Sequence, residues 1–338
     1  MPNNAAGAAA ALNVPGVLEP FPEHALAPEL RVREIAPIEA PRVMGWLRDL
    51  PDFRDYTIET TEISHDQKKL DQRSIKDNLK AAGLLGEKAL TLPAAVDLRG
   101  WCPMVEDQKN LGSCTANAGV GLLEYFERRA FGNHIDASRL FLYKATRDLL
   151  GFTGDSGAYL RSTMAAMTLF GVPPERYWPY NVPDFDKEPT AFCYAFAQNF
   201  QAISYYRLDP AGMTTASLLT TIKTWLAAAL PSMFGFTVYS SYVQANQTGK
   251  IPFPMTGEQV AGGHAVVAVG YDDTMRIKNA NPKATETVGA LLIRNSWGPG
   301  WGAGGYGWLP YDYVLRALAV DWWSLVKSEW IDTKQFGL

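Results

Sequence analysis

The sequence predicts an α+β fold with two lobes, a helical lobe followed by a β-rich lobe. Apolar residues recur at spacings of three and four over much of the first half of the chain, which indicates helices. Apolar runs of strand length follow in the second half. Helices and strands that separate along the chain in this way are typical of α+β proteins. We expect helices at 114–131, 138–149, 160–170 and 215–230, and strands at 232–238, 264–271 and 290–294.

Three further stretches lie outside these regions. Residues 1–42 are rich in Ala and Pro and lack a regular period, so an irregular arm is expected there. Residues 65–83 are strongly charged with scattered apolar positions, which indicates one exposed helix or a cleavable linker. Apolar residues from Leu318 to Val326 recur at helical spacing, so we expect a C-terminal helical tail that packs on the second lobe.

The helix expected over 114–131 begins at a cysteine. Ser113 is a residue type that caps helix N-termini, and Gly132 is one that ends helices. This arrangement puts Cys114 in the first helical turn, at the positive end of the helix dipole. A thiol at such a position is expected to have a lowered pKa and to be a better nucleophile.

Four residues have the types and the order that nucleophilic catalysis requires: Gln108, Cys114, His264 and Asn295. The thiol of Cys114 would be the nucleophile, and an imidazolium at His264 would lower its pKa further. Asn295 would orient the imidazole, and Trp297 would cover that bond. Gln108 and the backbone N–H of Cys114 would donate to the oxyanion, and one such donor is typically worth ~10²–10³ in rate.

Each of the four also has an ordinary structural interpretation. A lone cysteine is more often a small buried hydrophobic residue, and a histidine among Gly and Ala can be a satisfied core residue. Asn295 can be a turn residue, and Gln108 can be a surface residue. Their order and their local contexts, taken together, favour the catalytic interpretation.

Composition excludes several other classes of function. The formal net charge of −4 offers no electrostatic basis for binding nucleic acid or an anionic membrane. No window approaches the ~20 apolar residues of a membrane span. Because no Lys or Arg precedes Arg31, the start of the chain does not match a Sec signal, and we expect a cytoplasmic protein or one exported by a leaderless route.

No cofactor or metal is predicted. The three cysteines and four histidines show no clustered spacing for zinc, and no phosphate-binding loop is present. With Cys114 as a free nucleophile, only Cys102 and Cys193 are left to pair, and the sequence leaves that pairing open.

From about Leu92 to Trp308 the chain resembles papain-like cysteine peptidases. The matching segments share the order and the local residues of that family. They are Val96–Arg99, Gln108–Ala116, Gly154–Tyr159, Pro179–Tyr180, His264–Tyr271 and Asn295–Gly302. The resemblance implies a helical left lobe, a β-rich right lobe and a cleft between them that holds an extended polypeptide substrate. It also implies the Cys-His-Asn roles given above.

The resemblance further implies the substrate-binding positions. Gly157 and Ala158 would pair with the substrate backbone, and Trp301 would line the primed side. Tyr159 and Ala265 would make the second subsite apolar. An ungapped continuation puts Asp321 near the floor of that subsite, where it would admit Arg or Lys.

Two departures from the family pattern concern cysteines that usually form disulfides. Leu111 stands where the nucleophile loop usually has a cysteine, and Asp155 replaces a cysteine in the wall loop. The coordinated loss of bridging cysteines resembles a bacterial branch of the family with few cysteines.

Residues 1–90 are expected to form a pro-region, an inhibitory arm that binds the cleft of its own chain. Trp46, Pro51, Phe53 and Tyr56 are candidates for groups in or beside that cleft. The left lobe is then expected at 91–205 and the right lobe, with the helical tail, at 206–338.

The leading functional prediction is a cysteine endopeptidase that works through an acyl-enzyme and is made as a latent zymogen. One alternative keeps the fold and uses the acyl-enzyme for acyl transfer or deamidation of proteins. The other alternative is a catalytically inactive binding protein of the same fold.

Overall fold

The computed structural model describes residues 43–85, 91–201 and 204–338, so the arm predicted at 1–42 lies outside the described residues. The described helices are α1 (His65–Lys69), α2 (Ile75–Ala81), α3 (Cys114–Phe131), α4 (Arg139–Leu150), α5 (Leu160–Leu169), α6 (Ala191–Ala197), α7 (Thr215–Ala227), α8 (Tyr311–Leu315) and α9 (Ser328–Asp332). The strands are β1 (Trp46–Leu47), β2 (Ala95–Asp97), β3 (Ala158–Tyr159), β4 (Ser204–Arg207), β5 (Ser232–Tyr239), β6 (Val260–Ile277), β7 (Thr287–Arg294), β8 (Tyr306–Pro310) and β9 (Ala319–Val326).

The strands of the second half form one seven-stranded sheet with antiparallel pairs. Six strands lie in the order β4-β9-β5-β6-β7-β8, and β2 pairs with β6. The long strand β6 is central, because β5 pairs with its first half and β7 with its second half. Helices of the first half and a sheet of the second confirm the predicted α+β fold.

The helix α3 is the central element of the helical layer. Its first thirteen residues are buried, and it packs against α4, α5 and the sheet strand β6. It ends at Gly132, whose φ of +76° is the left-handed conformation that glycine adopts without steric cost. Because α3 is buried on nearly all sides, the packing around it fixes the position of its N-terminus. Cys114 is the first residue of the helix.

The predicted C-terminal helical tail is wrong for most of its length. Ala319–Val326 is the strand β9, which lies between β4 and β5 in the sheet. Because both faces of β9 are covered, Trp322 and Trp323 are both fully buried and the apolar run does not alternate. A strand that is buried on both faces has no alternating period, so the spacing of its apolar residues matches a helix by coincidence. The only helix after it in the described chain is the short α9, at Ser328–Asp332.

The charged stretch at 65–83 forms two short helices instead of one. Ser64 caps α1 and Ser74 caps α2, each accepting a hydrogen bond from a backbone N–H of the first turn. Leu79 of α2 is fully buried, and α2 packs against α9. The described residues from Val43 onward belong to one compact unit, so this part of the predicted pro-region is folded onto the lobes.

Among the described helices, none combines the length and the apolar composition that crossing a membrane requires. The three cysteines are buried free thiols, which answers the pairing question that the sequence leaves open.

Candidate active site

Cys114 opens α3 and is fully buried. Ser113 occupies the N-cap position, but its side chain makes no capping bond to the helix backbone. Its hydroxyl instead hydrogen bonds with the Tyr180 hydroxyl at 2.6 Å and accepts from the Asn117 side-chain amide at 3.1 Å. The predicted position of Cys114 is therefore confirmed, and the predicted capping by Ser113 is wrong.

His264 lies in β6, and Asn295 directly follows the neighbouring strand β7. The imidazole Nε2 lies 2.8 Å from the Asn295 Oδ1, which also accepts the backbone N–H of Ser296 at 2.8 Å. Since that oxygen only accepts, Nε2 carries the proton of the bond. Trp297 stacks on the imidazole at a ring distance of 4.6 Å and excludes water from it. The structure thus brings together the predicted histidine, asparagine and covering tryptophan.

Gln108 is fully buried, with its amide held from several sides. Its Nε2 donates to the carbonyl of Leu111 at 2.9 Å and to that of Val43 at 3.1 Å. Its Oε1 accepts from the Ser296 hydroxyl at 2.6 Å, which determines which end of the amide faces the cleft. The amide is consequently oriented as an N–H donor into the space in front of the α3 N-terminus.

Burial favours the uncharged forms of both the thiol and the imidazole. Burial raises the pKa of Cys114 to about 11, although backbone N–H groups of Ala265 and Gly45 favour the thiolate. Burial likewise lowers the pKa of His264 to about 4, although its bond to Asn295 favours the protonated ring. The sequence predicts the opposite direction for the thiol. That prediction is wrong because it considered only the helix dipole and the imidazolium. In the covered site, desolvation of the thiolate outweighs both and raises the pKa.

The cover is the chain segment Val43–Leu47, which runs through the cleft. The Val43 carbonyl accepts from the Gln108 amide, and the Gly45 carbonyl accepts from the Ala158 N–H at 2.8 Å. Trp46–Leu47 form β1, which pairs in parallel with β3. A Cβ on Gly45 would lie 1.8 Å from the Gly112 carbonyl oxygen, so only glycine can pass there.

Of the four arm residues predicted to approach the cleft, Trp46 alone does so. Phe53 is 95% exposed, Pro51 is exposed, and Tyr56 packs edge-on against Tyr205. The sequence analysis missed Val43 and Gly45 because their contribution is main-chain hydrogen bonding, which leaves no trace in side-chain type.

The predicted substrate-binding residues of the left lobe line the arm. Gly157 and Ala158 contact Gly45, and Tyr159 pairs with Leu47. These three positions therefore contact an extended polypeptide segment, as the sequence analysis expects of a substrate.

The two predicted positions of the right lobe differ in their surroundings. Ala265 follows His264 in β6, is buried, and directs its N–H at the Cys114 sulfur. Trp301 is 5% exposed and packs edge-on against Trp297 at 5.4 Å, behind the face that stacks on His264.

Asp155 is a site residue whose function the sequence analysis did not identify. Its carboxylate accepts the Gly112 backbone N–H at 2.9 Å and the Tyr143 hydroxyl at 2.6 Å. The same hydroxyl accepts the Gly157 N–H at 3.1 Å. Asp155 thus joins the nucleophile loop to the wall loop without a disulfide. The signal was present, because Asp155 stands where the family pattern has a bridging cysteine.

One group of carboxylates, at Glu106, Asp136 and Glu175, is close enough to resemble a metal site. The guanidinium of Arg139 already pairs with Glu106 at 2.9 Å and with Glu175 at 2.8 Å. A buried cationic side chain thus balances the acidic group, and the geometry there is that of an ion-pair network.

Comparisons with known proteins agree with this geometry. The sequence model described as "Papain family cysteine protease" matches residues 92–314. An uncharacterized peptidase C1-like protein of Acanthamoeba polyphaga mimivirus is 33% identical over 294 residues, covering 84% of this chain and 86% of the relative. Cathepsin K of Gallus gallus is 30% identical over 220 residues, or 63% of this chain and 58% of that protein.

Solved structures give the same result. Xylellain, a cysteine protease from Xylella fastidiosa, superposes with a TM-score of 0.63 at 32% identity, covering 84% of this chain and 96% of that one. The digestive procathepsin L 3 of Tenebrio molitor superposes with a TM-score of 0.53 at 21% identity over 72% of each chain, which supports the fold alone. Because relatives include viral and bacterial proteins, the predicted bacterial branch stays a prediction. The chain belongs to the papain family of cysteine proteases.

Proposed function

We propose that this protease is an endopeptidase whose nucleophile is Cys114 and whose N-terminal arm keeps it latent. The sulfur attacks the scissile carbonyl carbon, and its proton passes to His264. The imidazolium then protonates the leaving amine, which departs and leaves a thioester. Water, deprotonated by His264, hydrolyses the thioester and restores the thiol. Asn295 keeps the ring oriented, and Gln108 stabilises the oxyanion.

The observation that carries this proposal is the way the cleft binds main chain. Gln108, the predicted oxyanion donor, donates to the Val43 carbonyl, and Ala158, a predicted substrate contact, donates to the Gly45 carbonyl. A cleft that holds five consecutive residues of its own chain in extended form has the shape and the donors for a polypeptide. This supports polypeptides as the substrate class.

The arm blocks the site for a chemical reason as well as a steric one. The Gly45 N–H is hydrogen bonded to the sulfur, so the main chain of the arm occupies the space in front of the nucleophile. In addition, burial under the arm favours the neutral thiol and imidazole, which disfavours the thiolate that attacks a carbonyl. These features support inhibition by the arm without its rapid self-cleavage.

Ion pairs hold the arm to both lobes. Arg161 of α5 pairs with Asp55 at 2.7 Å and also with Asp49. Farther along, Arg73 pairs with Asp332 of the C-terminal helix. Together with the buried α2, these contacts support an arm that stays docked in the intact chain.

Labelling of Cys114 tests the proposal. We define the unlatched chain as the full-length protein with Gly45→Ala and Trp46→Ala, which introduce a clash with Gly112 and remove the indole from the cleft. A peptidyl epoxide should label Cys114 at least tenfold faster in the unlatched chain than in the wild type, by mass spectrometry. The control Phe53→Ala changes an exposed aromatic residue of the same arm and should behave as the wild type.

The outcomes separate the alternatives. Equal, fast labelling of both proteins would refute latency and keep the peptidase. Absence of labelling in both would favour the inactive binding protein. If Cys114 is labelled and the protein releases ammonia from casein without producing new peptide fragments, the deamidase would be favoured.

A further inference from the structure

The indole of Trp46 lies on the face of the right-lobe sheet that β5 and β6 form, in a space next to Gly235 and Gly263 that we call the slot. A Cβ on Gly235 would lie 1.9 Å from the indole Cε2, and a Cβ on Gly263 would lie 2.8 Å from its Cε3. Neither distance is possible for real atoms, so any side chain at these positions would fill the slot. Both glycines were outside the sequence-predicted site.

Space, and not backbone conformation, requires glycine at both positions. The described glycines with positive φ do not include Gly235 or Gly263, so an alanine could adopt either backbone. The three atoms nearest to a Cβ on Gly235 all belong to the Trp46 ring. When the arm leaves, a slot shaped for a flat ring therefore remains.

The closed end of the slot accepts one N–H. Asp321 is fully buried, and its Oδ2 accepts from Trp46 Nε1 at 3.1 Å. Its Oδ1 is already engaged, accepting from Trp323 Nε1 at 2.7 Å. A ring without a donor would leave a buried carboxylate oxygen without its partner, which is costly.

The charge at the slot does not favour a cationic side chain. The guanidinium of Arg207 is fully buried and lies 3.3 Å from Asp321, so the carboxylate already has a cationic partner, which it shares with Asp209 at 2.9 Å. Two of the nearby acids, Asp49 and Asp55, belong to the arm, and their negative charge leaves with it. An arginine in the slot would bring five N–H donors to one available oxygen, with a large desolvation cost.

We infer that the slot is the second substrate subsite and that it selects tryptophan, through its flat shape and one hydrogen bond to Asp321. This inference rests on the proposed peptidase function and replaces the expectation that Asp321 admits Arg or Lys. Leucine fills less of the slot, and phenylalanine fits but lacks the donor.

The arm itself can serve as the ligand in the first test, which uses the full-length chain. Trp46→Phe, Trp46→Leu and Trp46→Arg are compared with the wild type by the rate at which a peptidyl epoxide labels Cys114. We expect labelling a few-fold faster for Phe and at least tenfold faster for Leu and Arg. The control Phe53→Leu should leave the rate unchanged, because Phe53 is exposed. A Trp46→Arg chain that labels as slowly as the wild type would overturn the inference.

Substrates give the second test, in the unlatched chain. Fluorogenic dipeptides carry Trp, benzothienylalanine, Leu or Arg at the second position before the scissile bond, with the intervening residue unchanged. Benzothienylalanine has the shape of tryptophan with sulfur in place of the N–H. We expect Trp to exceed benzothienylalanine by roughly tenfold in kcat/KM, since one hydrogen bond to a charged group is worth about 1.5–3 kcal/mol. Equal rates for these two, or a preference for Arg or Leu, would contradict the inference.

Gly235→Ala in the unlatched chain connects the preference to the slot. It should abolish the preference for Trp while retaining cleavage of a substrate with alanine at that position. Gly100→Ala is the matched control, because a Cβ there meets open space. A preference for Trp that survives Gly235→Ala would place the selection elsewhere. If no peptide is cleaved and Cys114 is not labelled, the proposed function itself fails, which differs from cleavage with another preference.

Discussion

The two walls of the cleft are held in place by different kinds of hydrogen bond. On the right, His264 and Ala265 lie within β6, which is bonded through its main chain to β5 and β7. On the left, Gly112 and Gly157 lie in loops that the side chains of Asp155 and Tyr143 connect. The right wall therefore depends on a backbone ladder and the left wall on two side chains.

This difference teaches where a single substitution can act. A side-chain change in β5 or β6 leaves the ladder intact, because the ladder uses backbone groups. Removal of one carboxylate from the left wall leaves a buried backbone N–H without an acceptor. Gln108 lies between the walls. Its side chain is hydrogen bonded to Ser296, which follows β7, and to Leu111 of the nucleophile loop, so its position depends on both walls.

The largest effect is expected at that junction. Gln108→Ala in the unlatched chain should lower kcat by roughly 10²–10³, the usual cost of one oxyanion donor. Alkylation of Cys114 by iodoacetamide should be nearly unchanged, because that reaction forms no oxyanion. Asn110→Ala, an exposed change in the same loop, is the control. A loss of less than tenfold in peptide hydrolysis would rule out this role for Gln108.

The left wall should be the next most sensitive. Asp155→Ala in the unlatched chain leaves the Gly112 N–H and the Tyr143 hydroxyl without their acceptor, which costs about 1–3 kcal/mol. We expect kcat/KM to fall by roughly tenfold or more, mainly through KM, because every 1.4 kcal/mol is tenfold.

Matched variants sharpen the comparison of the walls. Asp155→Asn should recover most of the activity, since its amide oxygen still accepts. Tyr143→Phe should add little to Asp155→Ala, because both break one network. Thr237→Ala, on the β5 strand of the right wall, should be nearly silent. Equal losses from Thr237→Ala and Asp155→Ala would contradict the distinction drawn here.

A smaller effect is expected from Ser296→Ala. The hydroxyl orients the Gln108 amide, but the backbone bond from the Gln108 N–H to the Ser296 carbonyl, at 2.8 Å, remains. We expect kcat to fall a few-fold with an unchanged pH profile, and Ser296→Thr to restore it. A shifted pH profile would instead assign the effect to His264 or Cys114.

The smallest effect concerns stability and pH, between the lobes. Burial raises the pKa of Glu124 on α3 to about 8 from 4.5, and the charge of nearby Glu106 adds to this. A carboxyl whose folded pKa is raised stabilises the fold fully below pH 4.5 and loses that contribution as pH rises through 8. The melting temperature should therefore fall as pH rises from roughly 5 to 9, the range over which the carboxyl loses its proton first in the unfolded and then in the folded state. Glu124→Gln, which mimics the protonated form, should flatten that fall, and an unchanged slope would refute the assignment.

The sequence by itself determined the parts that depend on local pattern. The period of α3, its start at Cys114 and its end at Gly132 follow from apolar spacing and glycine, and the structure confirms them. The pairing of His264 with Asn295 follows from residue type and context, and it is also observed. The helix was predictable because its signals lie within a few neighbouring residues, and the pair because each of its two residues lies in a distinctive local motif.

Only the tertiary structure decided the rest. The strand at Ala319–Val326 depends on being covered on both faces, which a spacing rule cannot detect. Burial raises the pKa of Cys114 because Val43–Leu47 returns to the cleft from far along the chain. The slot exists because Gly235 and Gly263, on two paired strands, both lack a Cβ on the same face. Main-chain hydrogen bonds, desolvation and the space left by a missing Cβ depend on what packs nearby, and for that reason the sequence pattern alone does not specify them.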